Sequence, residues 1–144
     1  MAVTFAFLFD LFTSTIVYHV VIVLFGAPIF SQLLETYSLA VLLTVFTTLP
    51  CLLTFNDYER FREVFFHVNI ASKAERYAFC ATLGSLLGAW LGAFPIPLDW
   101  DRPWQRWPTT CVVGACLGFC LGIAIAAVLN LRCLQVSRQP RKFV

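Results

Sequence analysis

Charge is scarce in this chain. Asp, Glu, Lys and Arg make up 12% of its 144 residues, against about 25% in an ordinary soluble domain. With 60% hydrophobic residues and a mean hydropathy of +0.81, that deficit excludes a free-standing soluble globule. The formal net charge of +2 is too small to point to nucleic acid. No N-x-[ST] sequon is present, so nothing marks a glycosylated loop. No positively charged region precedes the first apolar run and no small-residue cleavage site follows it; the first helix is expected to act as its own anchor. A Walker loop, GxGxxG, HExxH, a GxSxG elbow and Cys/His sets at metal spacing are all missing, so no catalytic, cofactor or metal site is expected. Five of the six cysteines fall within apolar stretches, which does not suit a disulfide framework. Cys116 and Cys120, four apart, share one helix face as small interfacial residues.

Glycine is concentrated rather than abundant. Six of the seven glycines form two ladders, Gly84, Gly88, Gly92 and Gly114, Gly118, Gly122, each reading GxxxGxxxG in an apolar stretch. In a bilayer this spacing makes a flat stripe on one helix face, which lets another backbone approach closely. Between the ladders lies PIPLDWDRPWQRWP, with three of the four tryptophans and four of the seven prolines. Trp and Arg in a short connector suit the headgroup region. The expectation is a tightly packed transmembrane hairpin under a stiff aromatic loop.

Four stretches are long enough to cross a hydrocarbon core, which takes about 20 residues: residues 11–30, 36–55, 77–94 and 109–131. The fold class expected is all-α, a single polytopic membrane domain of four transmembrane helices. Within the polar segment 56–76, Phe61, Val64, Phe65 and Val68 recur at helical spacing among Glu59, Arg62, Glu63 and Asn69. That pattern predicts a short amphipathic helix, either lying on the membrane surface or serving as a solvated linker. Ser72-Lys-Ala-Glu75 matches a capping box, so the third long helix should start near Lys73. Placing loop 56–76 and the tail 132–144 in the cytosol puts Arg60, Arg62, Lys73, Arg76, Arg132, Arg138, Arg141 and Lys142 there. Only Arg102 and Arg106 remain on the lumenal side, in loop 95–108. Both termini are then cytosolic by the positive-inside rule.

Few residues offer chemistry. His19, near the middle of the first span, is roughly level with Thr47, where Thr44, Thr47 and Thr48 share a face. A neutral imidazole bonded to a threonine hydroxyl would hold the two helices in register; contact with lipid or a partner is the alternative. Asp99 and Asp101 are interleaved with Arg102 and Arg106 and bracketed by Pro97 and Pro103, which favours neutralisation inside the loop over a catalytic pair. Glu35 is the one carboxylate placed to join them. Cys133 is open to palmitoylation or is an inert thiol. The terminal Arg141-Lys142-Phe143-Val144 resembles a dilysine-type retrieval signal, or is an ordinary basic tail binding anionic lipid.

Three runs carry a family resemblance: YHVVIVLFGAP, LLETYSLAVLLTVFTTLPCL and above all GAWLGAFPIPLDWDRPWQRWP. They closely resemble the phosphatidylinositol-glycan biosynthesis class F (PIG-F) family over residues 18–115, most specifically 88–108. The resemblance implies a multi-pass protein of the endoplasmic reticulum membrane that works in glycosylphosphatidylinositol (GPI) anchor assembly. It implies a non-catalytic stabilising partner of the ethanolamine phosphate transferases PIG-O and PIG-G, which move ethanolamine phosphate from phosphatidylethanolamine onto mannoses of the anchor precursor. No catalytic residue is carried over, since the large metal-dependent domain of those enzymes has no counterpart here. Family members are longer at the amino end, with further helices ahead of the segment resembling His19–Pro28. The residues expected to matter are therefore the six glycines, for packing, and the loop residues Pro95, Pro97, Asp99, Trp100, Asp101, Arg102, Pro103, Trp104 and Trp107. A competing class is a small lipid-handling protein or transferase at the lumenal face, with Glu35, Asp99, Asp101, Arg102 and Arg106 around a headgroup. A channel or transporter is disfavoured, because paired broken helices and midplane ion ligands are lacking.

Overall fold

A computed structural model describes residues 2–28, 32–55, 57–97 and 106–138. They form five helices: α1 (Ala2–Leu24), α2 (Leu33–Thr54), α3 (Tyr58–His67), α4 (Lys73–Ala93) and α5 (Thr109–Arg138). No strand occurs among the described residues. The all-helical expectation holds. The leader before residue 11 is part of α1, because no Gly or Pro interrupts the run until Gly26, which turns the chain at φ +102° just ahead of Pro28. Pro50 lies inside α2, one turn from its end. There it removes the amide that would otherwise bond to the Phe46 carbonyl, and only one further turn of helix follows.

The capping box at the start of α4 is present as read from sequence. Ser72 Oγ accepts from the Glu75 amide at 3.1 Å, and Glu75 Oε2 accepts from the Ser72 amide at 3.0 Å. Two amides that the helix itself leaves unpaired are thereby satisfied.

Among the described residues, three helices are long and apolar enough to cross a membrane: Thr4–Leu24, Leu33–Thr54 and Thr109–Cys133. α4 is 21 residues long, but Lys73, Glu75 and Arg76 in its first turn and its three glycines dilute its hydropathy. By length and composition, three of the four expected spans are recovered.

α2 is the central helix. Its span buries 39% of its residues inside the protein, whereas that of α1 buries 6%. Leu39, Ala40 and Leu43 of α2 meet Ile22 of α1 on one side and Cys111 and Ala115 of α5 on the other. Phe46 stacks on Phe119 of α5 with ring centroids 4.4 Å apart. α1 touches the rest of the bundle through α2, and α4 and α5 form an antiparallel hairpin against the opposite side of α2.

α3 rests on α4 along one face. Val64 is fully buried, Phe61 and Phe65 pack at 4.6 Å, and Phe65 reaches Phe79 of α4 at 5.3 Å. Val68 departs from the expected stripe: it ends the helix at φ +53° and is 60% exposed. A β-branched residue in the left-handed region lies off the helical face, so the apolar stripe stops at Phe65.

Candidate functional site

The two glycine ladders face each other. Gly84 lies against Gly118 and Gly88 against Gly114, while Gly92 meets Thr110 and Gly122 meets Cys80. A Cβ placed on any of the six would be driven into a facing backbone carbonyl oxygen. Backbone cannot swing aside as a side chain does, so these positions accept only glycine at this separation. Hence the ladders are consumed within the chain. On the outer side of the seam, Leu83, Leu87 and Leu91 of α4 and Leu117, Leu121 and Ile125 of α5 wall an apolar groove of about 800 Å³.

The connector is anchored at its far end. Trp107 Nε1 donates to Thr36 Oγ1 at 3.0 Å, and Thr36 is fully buried at the start of α2, where its hydroxyl also donates to the Gln32 carbonyl at 2.9 Å. Pro95 lines the outer groove, Pro97 is exposed, and the Trp107–Pro108 peptide is cis. Asp99, Trp100, Asp101, Arg102, Pro103 and Trp104 lie outside the described residues.

The polar groups in the spans pair differently from expectation. Thr47 bonds to the Tyr18 hydroxyl at 2.7 Å, and Thr15 to Thr44 at 3.1 Å. The neighbouring hydroxyls therefore hold α1 on α2, not His19. Nδ1 of His19 is buried with no hydrogen-bond partner among the described residues, and its ring packs near Tyr37 at 6.1 Å. Tyr18 and Thr15 sit on the helix face toward α2, which the level of residues along the two helices could not resolve.

A partly buried ion pair was also missed. Arg60 of α3 donates from Nε to Glu75 Oε1 at 2.6 Å and from a terminal nitrogen to Oε2 at 2.7 Å, a two-pronged grip on α4. Arg60 bonds to Glu63 as well. The Arg60 guanidinium, with the Ser72 and Ala71 amides, holds the Glu75 carboxyl down at about 2 against the opposing effect of burial. The capping-box motif named Glu75 but carried no hint of its cation. Arg76 pairs with Asn130 across the hairpin. Among the described residues, no cluster of three or more His, Cys, Asp or Glu exists to hold a metal. Cys133 is exposed.

The model of the GPI biosynthesis protein family Pig-F matches residues 1–127. The chain belongs to that family. The mouse "GPI ethanolamine phosphate transferase, stabilizing subunit" is 44% identical over 114 residues, covering 78% of this chain and 52% of the mouse protein. The human protein of the same description is 44% identical over 110 residues, covering 76% and 50%. A PIGF/3-ketodihydrosphingosine reductase fusion protein of Schizosaccharomyces pombe is 42% identical over 114 residues, covering 76% of this chain and 22% of the fusion. The chain thus spans about half the length of the mouse and human relatives. No solved structure matches.

Proposed function

We propose that this chain is a non-catalytic stabilising subunit of the GPI-ethanolamine phosphate transferases PIG-O and PIG-G in the endoplasmic reticulum membrane. Those partners transfer ethanolamine phosphate from phosphatidylethanolamine to mannoses of the anchor precursor; this chain contributes packing. The observation that carries the reading is the agreement of the family match with relatives described as stabilizing subunits. A chain dominated by helix-to-helix contact, with its glycine seam closed on itself, suits that role.

In this reading the chain is one transmembrane domain in which α4 is a fourth span, carried through the bilayer by its seam with α5. Both termini and α3 face the cytosol, and the Trp loop faces the lumen. α3 then lies at the interface, with Phe61 and Phe65 turned to α4. Since the ladders are occupied internally, the glycines serve the partner indirectly, by keeping the hairpin rigid.

Co-purification of the chain with PIG-O and PIG-G from mild detergent tests the proposal. Recovery of a transferase is expected, with its abundance falling when Gly88→Leu or Gly118→Leu disrupts the hairpin. Normal transferase levels with both variants would overturn the packing mechanism, and no recovery with a stable chain would overturn the assignment of these residues as the partner surface.

A further inference from the structure

A second cavity, of about 600 Å³, lies between α1, the end of α2, α3 and α4. Unlike the outer groove, it is polar on one wall. α1 turns Asp10, Ser14 and Tyr18 into it, residues four apart and hence on one face of an otherwise apolar helix. The link before α3 adds Asp57, and α2 adds Thr47 and Thr48.

Asp10 lies inside the candidate span Thr4–Leu24. The protein leaves both Asp10 and Asp57 exposed on the cavity lining. The side chains of Asp10 and Asp57 make no hydrogen bond or ion pair among the described residues, and no Lys, Arg or His lines the cavity. The nearby cations are committed elsewhere: Arg60 to Glu63 and Glu75, Arg62 to Glu59. The cavity therefore presents negative charge that the protein leaves unbalanced.

The wall near the carboxylates is aromatic. Phe55 meets Phe61 edge-on at 5.8 Å and Phe65 at 6.1 Å, and Tyr58 packs on Phe61 at 6.4 Å. Rings of this kind attract a cation through their π faces. Deeper in, Leu83 and Leu86 of α4 line the cavity beside Tyr18. From Asp10 to Tyr18 the helix advances about 12 Å, close to the depth of one leaflet's hydrocarbon, about 15 Å. Asp57 lies just past the last residue of α2, so this end of the cavity is the one toward the end of that span, and Leu83 and Leu86 extend it along the helices.

We propose that this cavity binds a lipid whose headgroup carries a primary ammonium. Its N–H groups donate to Asp10 and Asp57 beside the aromatic wall, Ser14 and Thr48 meet its hydroxyl or ester oxygens, and its chain passes Leu83 and Leu86. A divalent cation fits worse, because the two carboxylates supply at most four of the six to eight oxygens calcium takes and the ion would leave the apolar part of the cavity unfilled. An anionic headgroup is repelled. A diacyl aminophospholipid and a single-chain sphingoid amine share the required chemistry. The site does not depend on the transferase reading, since it rests on this cavity alone.

The test uses the full chain purified in dodecyl maltoside, with lipid retention read by native mass spectrometry. Dioleoyl phosphatidylethanolamine and sphingosine are compared with dioleoyl phosphatidylcholine, which lacks N–H donors, and with dioleoyl phosphatidylglycerol. At least one ammonium lipid should be retained about tenfold over both controls, and Asp10→Asn with Asp57→Asn should remove that preference, as loss of a charge-assisted hydrogen bond predicts. Equal retention of phosphatidylglycerol, or an undiminished preference in a folded double variant, overturns the site. If the double variant fails to fold, the wild-type chain decides through diazirine-tailed phosphatidylethanolamine and sphingosine. Cross-links on Leu86, which unlike Leu83 does not also line the outer groove, support the site, the probe that gives them identifies the source, and labelling confined to the outer helix faces overturns it.

Discussion

The two helix pairs of this protein are held by opposite means. α4 and α5 meet backbone to backbone along glycines, with nothing between them that can rotate. α1 and α2 meet through side chains, two hydroxyl pairs and a thin apolar strip around Ile22, and α1 leaves most of its surface outside. The first kind of contact depends on shape and loses little rotamer entropy; the second depends on a few directed bonds, each of modest worth in a membrane. Damage should therefore be severe and local in the hairpin, and shallow in the α1–α2 pair.

The largest effect is expected at the seam. Gly118→Leu should destabilise the protein by about 3 kcal/mol or more in detergent melting, because the added atoms meet carbonyls that cannot move away. Gly118→Ala should also lower the melting temperature, since a single Cβ already collides with Gly84. A neutral Ala variant would show that the helices part easily, and would erase the contrast between the pairs.

Trp107→Phe keeps the ring volume but leaves the buried Thr36 hydroxyl without its indole donor. A loss of about 1 kcal/mol is expected, read from the same melts. Thr15→Val breaks the pair with Thr44 and should cost about 0.6 kcal/mol, the average for polar contacts between membrane helices. A Thr15→Val loss as large as that of Gly118→Leu would reverse the comparison.

The joint between α3 and α4 has a pH signature. The Glu75 carboxyl is lowered from 4.5 to about 2 in the folded protein, first by Arg60 and also by the Ser72 and Ala71 amides. A depressed carboxyl stabilises fully above its unfolded value and loses that contribution as pH falls through its folded one. Melting should therefore weaken between pH 4.5 and 2, and the slope should flatten in Arg60→Gln. The smallest effect belongs to His19→Phe. With Nδ1 unpaired, the change should fall within about 0.5 kcal/mol of neutral.

Much of this was legible because local rules decide it. The ladders announced their own spacing, and the Ser72–Glu75 box marked the start of α4 to the residue. What escaped depends on rotation of one helix about its axis. Thr47 was identified as a polar anchor, but its partner proved to be Tyr18, the residue next to His19. One position along a helix turns a side chain by about 100°, enough to move it between the α2 face and the next. The Arg60–Glu75 pair was hidden for a related reason: it depends on the turn after Val68, whose left-handed φ no stripe of apolar residues encodes.

The glycine seam carries one more consequence. It opposes Gly84 to Gly118 and Gly88 to Gly114. A slide of α5 by four residues, about 6 Å, would instead oppose Gly84 to Gly122, Gly88 to Gly118 and Gly92 to Gly114. Small residues would still meet, so the ladder behaves as a rail: it sets the gap between the helices and leaves their offset free. The offset is held by residues of another kind, Arg76 with Asn130 across the hairpin and Trp107 with Thr36 beyond it. Distance and position along the rail are thus encoded separately, and a change at Asn130 or Trp107 would shift one while sparing the other.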